Sequence, residues 1–155
     1  MVVSWLRINS QIRPWPMPLS VVQAATAEAH RKGKLVFAHP STIEGVNLVL
    51  DGHVDILAHT SEESDKWDEA LSLNLKAANV TLIPTLTLFD RNSNFESIRN
   101  EVKSYADAGG KIMYGTDVGY LMDYPHLTSE FEYLAKAGLN FQQILASLTM
   151  VPAAR

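Results

Sequence analysis

Short apolar runs alternate along the chain with longer stretches whose apolar residues recur at helical spacing. Val2 to Ile8, Leu35 to Ala38, Val54 to Ala58, Val80 to Ile83 and Ile112 to Tyr114 read as strands. Most of these runs are continuously apolar, as strands buried on both faces require. Between them, Ser20 is placed to cap a helix that runs to about Arg31 and ends at Gly33. Ser41 and Glu44 make an S-x-x-E capping box for a short helix closed by Gly52. The polar loop Ser61 to Asp65 leads into a helix carrying Trp67, Ala70, Leu71, Leu75 and Ala78. Phe95, Ile98, Val102, Tyr105 and Ala106 mark the next, stopped at Gly109 and Gly110. Leu127 to Ala137, ended by Gly138, and Phe141 to about Thr149 are the last two.

The order βαβαβαβαβαα predicts a parallel sheet covered by helices. Two architectures satisfy it. One is a doubly wound open sheet of five strands. The other is part of a (β/α)8 barrel, which in full takes roughly 250 residues. Periodicity alone leaves both open.

Composition narrows the partners rather than the fold. The chain has 155 residues, 46% hydrophobic and 19% charged, as an ordinary globular domain does. A net charge of −4 without a block of lysine or arginine predicts no nucleic acid and no anionic membrane surface as partner. No apolar run is long enough to predict a membrane span. Met1 to Ser10 carries Arg7 inside an apolar stretch and lacks the layout of a signal peptide. A strand-like run at the very start suggests a chain cut into a larger fold. Cysteine is absent, which excludes disulfide and thiolate chemistry and fits a cytoplasmic location.

The placement of three polar residues is the strongest chemical signal. His39, His59 and Asp117 each follow an apolar run, at the carboxyl end of a predicted strand. Parallel α/β folds bind ligands at that edge. Imidazole nitrogen and carboxylate oxygen are donors for zinc and similar divalent ions. Asp117 is also suited to take a proton from an attacking water. Each residue has a plainer reading: a hydrogen-bonded histidine, or an aspartate in a turn. Only the conjunction favours chemistry. His30, inside a helix, and His53, at the opposite strand end, read as structural. His126, in the loop after Asp117, is a candidate substrate contact. Gly109-Gly110-Lys111 precedes a strand instead of opening a helix, so it is no phosphate cradle. No G-x-S-x-G turn occurs. The Trp and Pro cluster from Trp5 to Pro18 reads as loop packing rather than a flap.

Four segments carry a family resemblance: "AEAHRKGKLVFAHPSTIEGVNLVLDGHVDILAHT", "TLIPTL", "GGKIMYGTDVG" and "LAKAGLNFQQILASLTMVPAAR". In these the chain resembles the amidohydrolase superfamily, above all its imidazolonepropionase-like and prolidase-like members, over roughly residues 19 to 155. The resemblance implies a partial (β/α)8 barrel of about five parallel strands, equivalent to strands 4–8. It implies one domain over 1–155, without the first strands or the accessory β-domain. His39 and His59 would be the metal ligands after the fifth and sixth strands. Asp117 would be the aspartate after the eighth, binding metal and shuttling the water's proton. The implied cofactor is a divalent metal, zinc first, with iron and manganese as alternatives. The implied reaction is hydrolysis of a C–N bond in a small amide, cyclic amide or peptide-like substrate.

Three departures qualify it. No H-x-H pair occurs anywhere in the chain. Arg7, in "WLRIN", stands where many relatives carry a carboxylated lysine that bridges two metals. A guanidinium stays protonated and argues for a single metal. The sequence also stops before the family's C-terminal strands. The expectation is a truncated copy, inactive alone, whose partner is the missing N-terminal half of the barrel. The alternatives are a non-catalytic remnant and an open-sheet domain that binds a small ligand.

Overall fold

The computed structural model describes residues 4–6, 17–117 and 128–155, so Arg7, His126 and most of the Trp and Pro cluster lie outside the described residues. The apolar runs form five short strands: β1 (Ser4–Leu6), β2 (Val36–Ala38), β3 (Ile56–Ala58), β4 (Thr81–Ile83) and β5 (Lys111–Ile112). The helical segments form α1 (Leu19–Arg31), α2 (Ile43–Asp51), α3 (Glu69–Ala77), α5 (Phe95–Asp107), α6 (Ser129–Lys136) and α7 (Phe141–Leu148). Two short helices were not predicted, α4 (Leu86–Phe89) and α8 (Met150–Ala153), nor was the 3-10 turn at Ser64–Lys66.

Strand order decides between the two architectures. Each strand pairs in parallel with the next, giving β1-β2-β3-β4-β5. A doubly wound sheet reverses its order at a switch point. This sheet has none. Successive helices also lean on one another in sequence, α1 on α2, α3 on α5, α5 on α6 and α6 on α7. An unreversed parallel sheet with helices in chain order is a segment of a (β/α)8 barrel.

One turn recurs at the amino ends of β2 to β5 and again between α6 and α7. Gly33, His53, Asn79, Gly109 and Gly138 all have positive φ, each just after a helix. In every case the next N–H reaches back to a carbonyl in the last helical turn, as in Lys34 to Ala29, Val54 to Val49 and Val80 to Leu75. These are Schellman caps, which satisfy the last helical carbonyls while reversing the chain. His53 therefore serves as a left-handed cap residue. His30 lies near the same edge, its Nε2 2.9 Å from Asp55 Oδ2.

Two predicted caps shift by local chemistry. The carbonyl of Pro18, not Ser20, receives the first N–H groups of α1. Thr42, not Ser41, caps α2, its Oγ1 accepting from Gly45 N at 3.2 Å. Trp67 precedes α3, which Asp68 caps, and its indole N–H donates to Ser72 Oγ at 2.9 Å. Among the described residues no helix is long and apolar enough to cross a membrane.

The core lies between sheet and helices. Val36, Ala38, Leu57 and Leu82 of the strands form one cluster with Val22, Val46, Leu75, Ile98, Val102 and Tyr105 of the helices, all almost fully buried. Among these apolar residues sits Glu101, 2% exposed. Its Oε2 accepts from Ser61 N at 3.1 Å, and its Oε1 is buried without a partner. Burial pushes this carboxyl up to about 9, with the Ser61 bond opposing. The folded carboxyl is thus protonated where the unfolded one is not. Its contribution to stability is full below about pH 4.5 and is lost as pH rises toward 9. Glu101→Gln keeps the acceptor for Ser61 without a charge to bury. Denaturant melts at pH 5 and pH 8.5 should show the variant gaining at least about 1 kcal/mol on wild type at the higher pH. Parallel pH profiles would dismiss this account.

Candidate functional site

Because the strands are parallel and adjacent, the residues that follow them share one edge of the sheet. His39 follows β2, His59 follows β3, Thr85 stands two residues past β4, and Asp117 lies five residues past β5. The His39 and His59 rings meet edge to face, with centroids 4.5 Å apart and planes at 88°. His59 Nε2 is 3.6 Å from Asp117 Oδ2. The three strand-end residues predicted from sequence are therefore neighbours, with His59 in the middle.

The backbone here is unusual. His59 has φ 83°, Thr85 47° and Asp117 50°. Left-handed backbone in bulky or β-branched residues costs about 1–3 kcal/mol each, and it gathers at functional sites. The turns are held by hydrogen bonds. His59 N donates to Ile83 O at 3.0 Å. His59 Nδ1 lies 2.5 Å from Thr85 Oγ1. Thr87 Oγ1 donates to Thr116 O at 3.0 Å, fixing the peptide before Asp117. Glu130, on α6, accepts from Leu86 N at 2.9 Å and Thr87 N at 2.8 Å.

Electrostatics follow from burial. Desolvation, helped by the neighbouring His39, lowers His59 to about 3, so the ring is neutral at physiological pH. Desolvation raises Asp117, with His39 pulling the other way. Glu130 is pushed up to about 7 by burial, against its bonds to Thr87 and Leu86.

The donor set suits a divalent cation in chemistry and partly in spacing. Neutral imidazole is the ligand form. With the proton on Nδ1, facing Thr85, the Nε2 lone pair looks toward Asp117. Two donors each about 2.1 Å from a tetrahedral ion lie about 3.4 Å apart, close to the observed 3.6 Å. Among the described residues, however, no group of three or more His, Cys, Asp or Glu side chains is gathered as a metal cluster. The edge offers a pair at ligand spacing with His39 beside it, rather than a closed shell.

Sequence reading missed Thr85, Thr87, Glu101 and Glu130. The two glutamates left a signal. Glu101 lies on the buried stripe of Ile98, Val102 and Tyr105, and Glu130 on that of Leu134 and Ala137. A carboxyl on an apolar helix stripe needs a buried partner.

No family model matches the sequence, and no curated protein does. Solved structures do match in fold. An A. niger ochratoxinase superposes with a TM-score of 0.79 at 16% identity, over 96% of this chain and 38% of its own. A Xaa-Pro dipeptidase with methionine in its active site gives 0.72 at 21%, over 90% and 38%. An amidohydrolase gives 0.72 at 19%, over 90% and 37%. The chain thus shares its fold with part of each of these three structures and spans less than two fifths of their length.

The depressed His59 makes a signed prediction. Between about pH 6.5 and 3 the unfolded imidazole binds a proton that the folded one refuses. Its contribution is present above pH 6.5 and is lost as pH falls through that window. In His59→Gln the acid-side loss of stability should be shallower, by up to about 1.4 kcal/mol per pH unit. Denaturant titrations from pH 7 to 4 measure it, and equal slopes would refute a buried neutral His59.

Proposed function

We propose that this chain provides one arc of the active site of a metal-dependent hydrolase acting on C–N bonds. The observation that carries the reading is the His39–His59–Asp117 edge at the carboxyl ends of parallel strands. The names of the fold neighbours, a Xaa-Pro dipeptidase and an amidohydrolase among them, support a small amide or peptide-like substrate. In this reading residues 1–155 belong to a single barrel domain.

In this reading His39 and His59 hold the ion and Asp117 is its carboxylate ligand. A divalent cation there, zinc first and iron or manganese next, supplies the positive charge that polarises a carbonyl and acidifies water. His59 stays neutral and keeps Nε2 available, because Thr85 occupies Nδ1. Asp117, 41% exposed, can receive the proton of the attacking water and return it to the leaving nitrogen. His126 is assigned a substrate contact. The remaining donors come from the other strands of a full barrel, so the chain alone turns over little or nothing. A second reading, a remnant that keeps the edge without the ion, is favoured by the lack of a gathered three-ligand cluster among the described residues.

Metal linkage separates the two. Zinc at 100 times its Kd should stabilise the purified chain by about 2.7 kcal/mol. His39→Ala, His59→Ala and Asp117→Ala should each weaken zinc binding at least tenfold by calorimetry. Val49→Ala, on distant α2, should leave it unchanged. No zinc-dependent stabilisation, or equal affinity in all four variants, would leave the remnant reading standing.

A further inference from the structure

Glu130 belongs to α6, and its hydrogen bonds go to Leu86 and Thr87 rather than to any of the three edge residues. It is fully buried, and both carboxylate oxygens are committed, Oε1 to Leu86 N and Oε2 to Thr87 N. Those two N–H groups open α4, directly after Thr85 in its left-handed conformation. Two arms leave this turn. Thr85 Oγ1 meets His59 Nδ1 at 2.5 Å, and Thr87 Oγ1 donates to Thr116 O, one residue before Asp117.

We propose that Glu130 is the positioning residue of the strand edge, setting through one turn the orientation of both His59 and Asp117. The argument is geometric. Thr85 has no side-chain role as a cap, so the N–H groups of Leu86 and Thr87 depend on Glu130. Without the carboxylate, two buried donors lose their acceptor, and the turn must rotate to find another. Rotation at Leu86 moves the Thr85 hydroxyl off Nδ1 and so frees the ring that fixes Nε2. The same movement displaces Thr87 from Thr116. Outer groups that orient a ligating imidazole govern ion affinity by 10–100-fold in known sites. The consequence for the ion rests on the hydrolase reading; the consequence for His59 does not.

The test uses the whole 155-residue chain with two independent readouts. Long-range 1H–15N spectra report the His59 tautomer and the exchange of its Nδ1 proton. Calorimetry with zinc reports affinity. Glu130→Ala should mix the His59 tautomers, speed Nδ1 proton exchange at least tenfold and weaken zinc at least tenfold. Glu130→Gln retains one acceptor and should fall between this variant and wild type, and it decides alone if the alanine variant does not fold. Thr87→Val should weaken zinc and leave the His59 signal unchanged. Val49→Ala, a stability control on α2, should move neither signal. A folded Glu130→Gln with wild-type His59 tautomer and exchange would overturn the proposal. If wild type binds no zinc, the hydrolase reading fails, and the His59 spectrum still judges Glu130.

Discussion

A parallel strand that stops inside a folded domain leaves main-chain groups that neighbouring strands cannot take, and this constraint shapes both ends of the sheet. At the amino ends the backbone solves it unaided. Four Schellman caps there, at Gly33, His53, Asn79 and Gly109, lead from a helix into a strand with main-chain bonds only. At the carboxyl ends the turns are longer and left-handed, and the backbone does not suffice. Ser61 N turns to Glu101, and Leu86 N and Thr87 N turn to Glu130. Polar side chains are drawn into a buried edge because the chain must leave the sheet there. The same edge carries His39, His59 and Asp117.

The two glutamates show what such anchoring costs. Both are almost fully buried, and desolvation raises both. Glu101 receives one backbone bond and is pushed up to about 9; Glu130 receives two, with the Thr87 side chain also favouring its charged form, and is pushed up to about 7. Each added donor favours the charged form. A well-supplied carboxylate of this kind is a firmer anchor than a half-supplied one. It sits where the backbone is most unusual, beside the positive φ of Thr85.

The repeating architecture was legible because it rests on long apolar patterns. Four strands fall inside the apolar runs, β5 starts one residue before its run at Lys111 and shares only Ile112 with it, and the buried face of α5 follows the predicted spacing. Pattern could not choose between sheet architectures, since helix and strand periods are alike in both; strand order did. Caps moved by one or two positions: the Pro18 carbonyl receives the first N–H groups of α1, and Thr42 Oγ1 receives that of Gly45 in α2. The three edge residues were readable as polar groups at strand ends. Their supports were not, since a helical glutamate is ordinarily a solvated one, and only the fold brings Glu130 to α4.

Among the described residues the edge and the sheet are open in the same sense. Outer strands β1 and β5 each have one partner among the described residues, whereas a closed barrel leaves no strand unpaired. On α7, Phe141, Leu145 and Leu148 stay exposed although a capping box starts the helix well. An ion held by His39, His59 and Asp117 would have donors along one arc, with the opposite side open to whatever pairs with β1 and β5. In a (β/α)8 barrel those are one requirement, because the strands that close the sheet also bring their carboxyl ends to the same mouth. A site already braced by buried carboxylates on one side, and open on the other, is better explained as part of a ring than as a free-standing pocket.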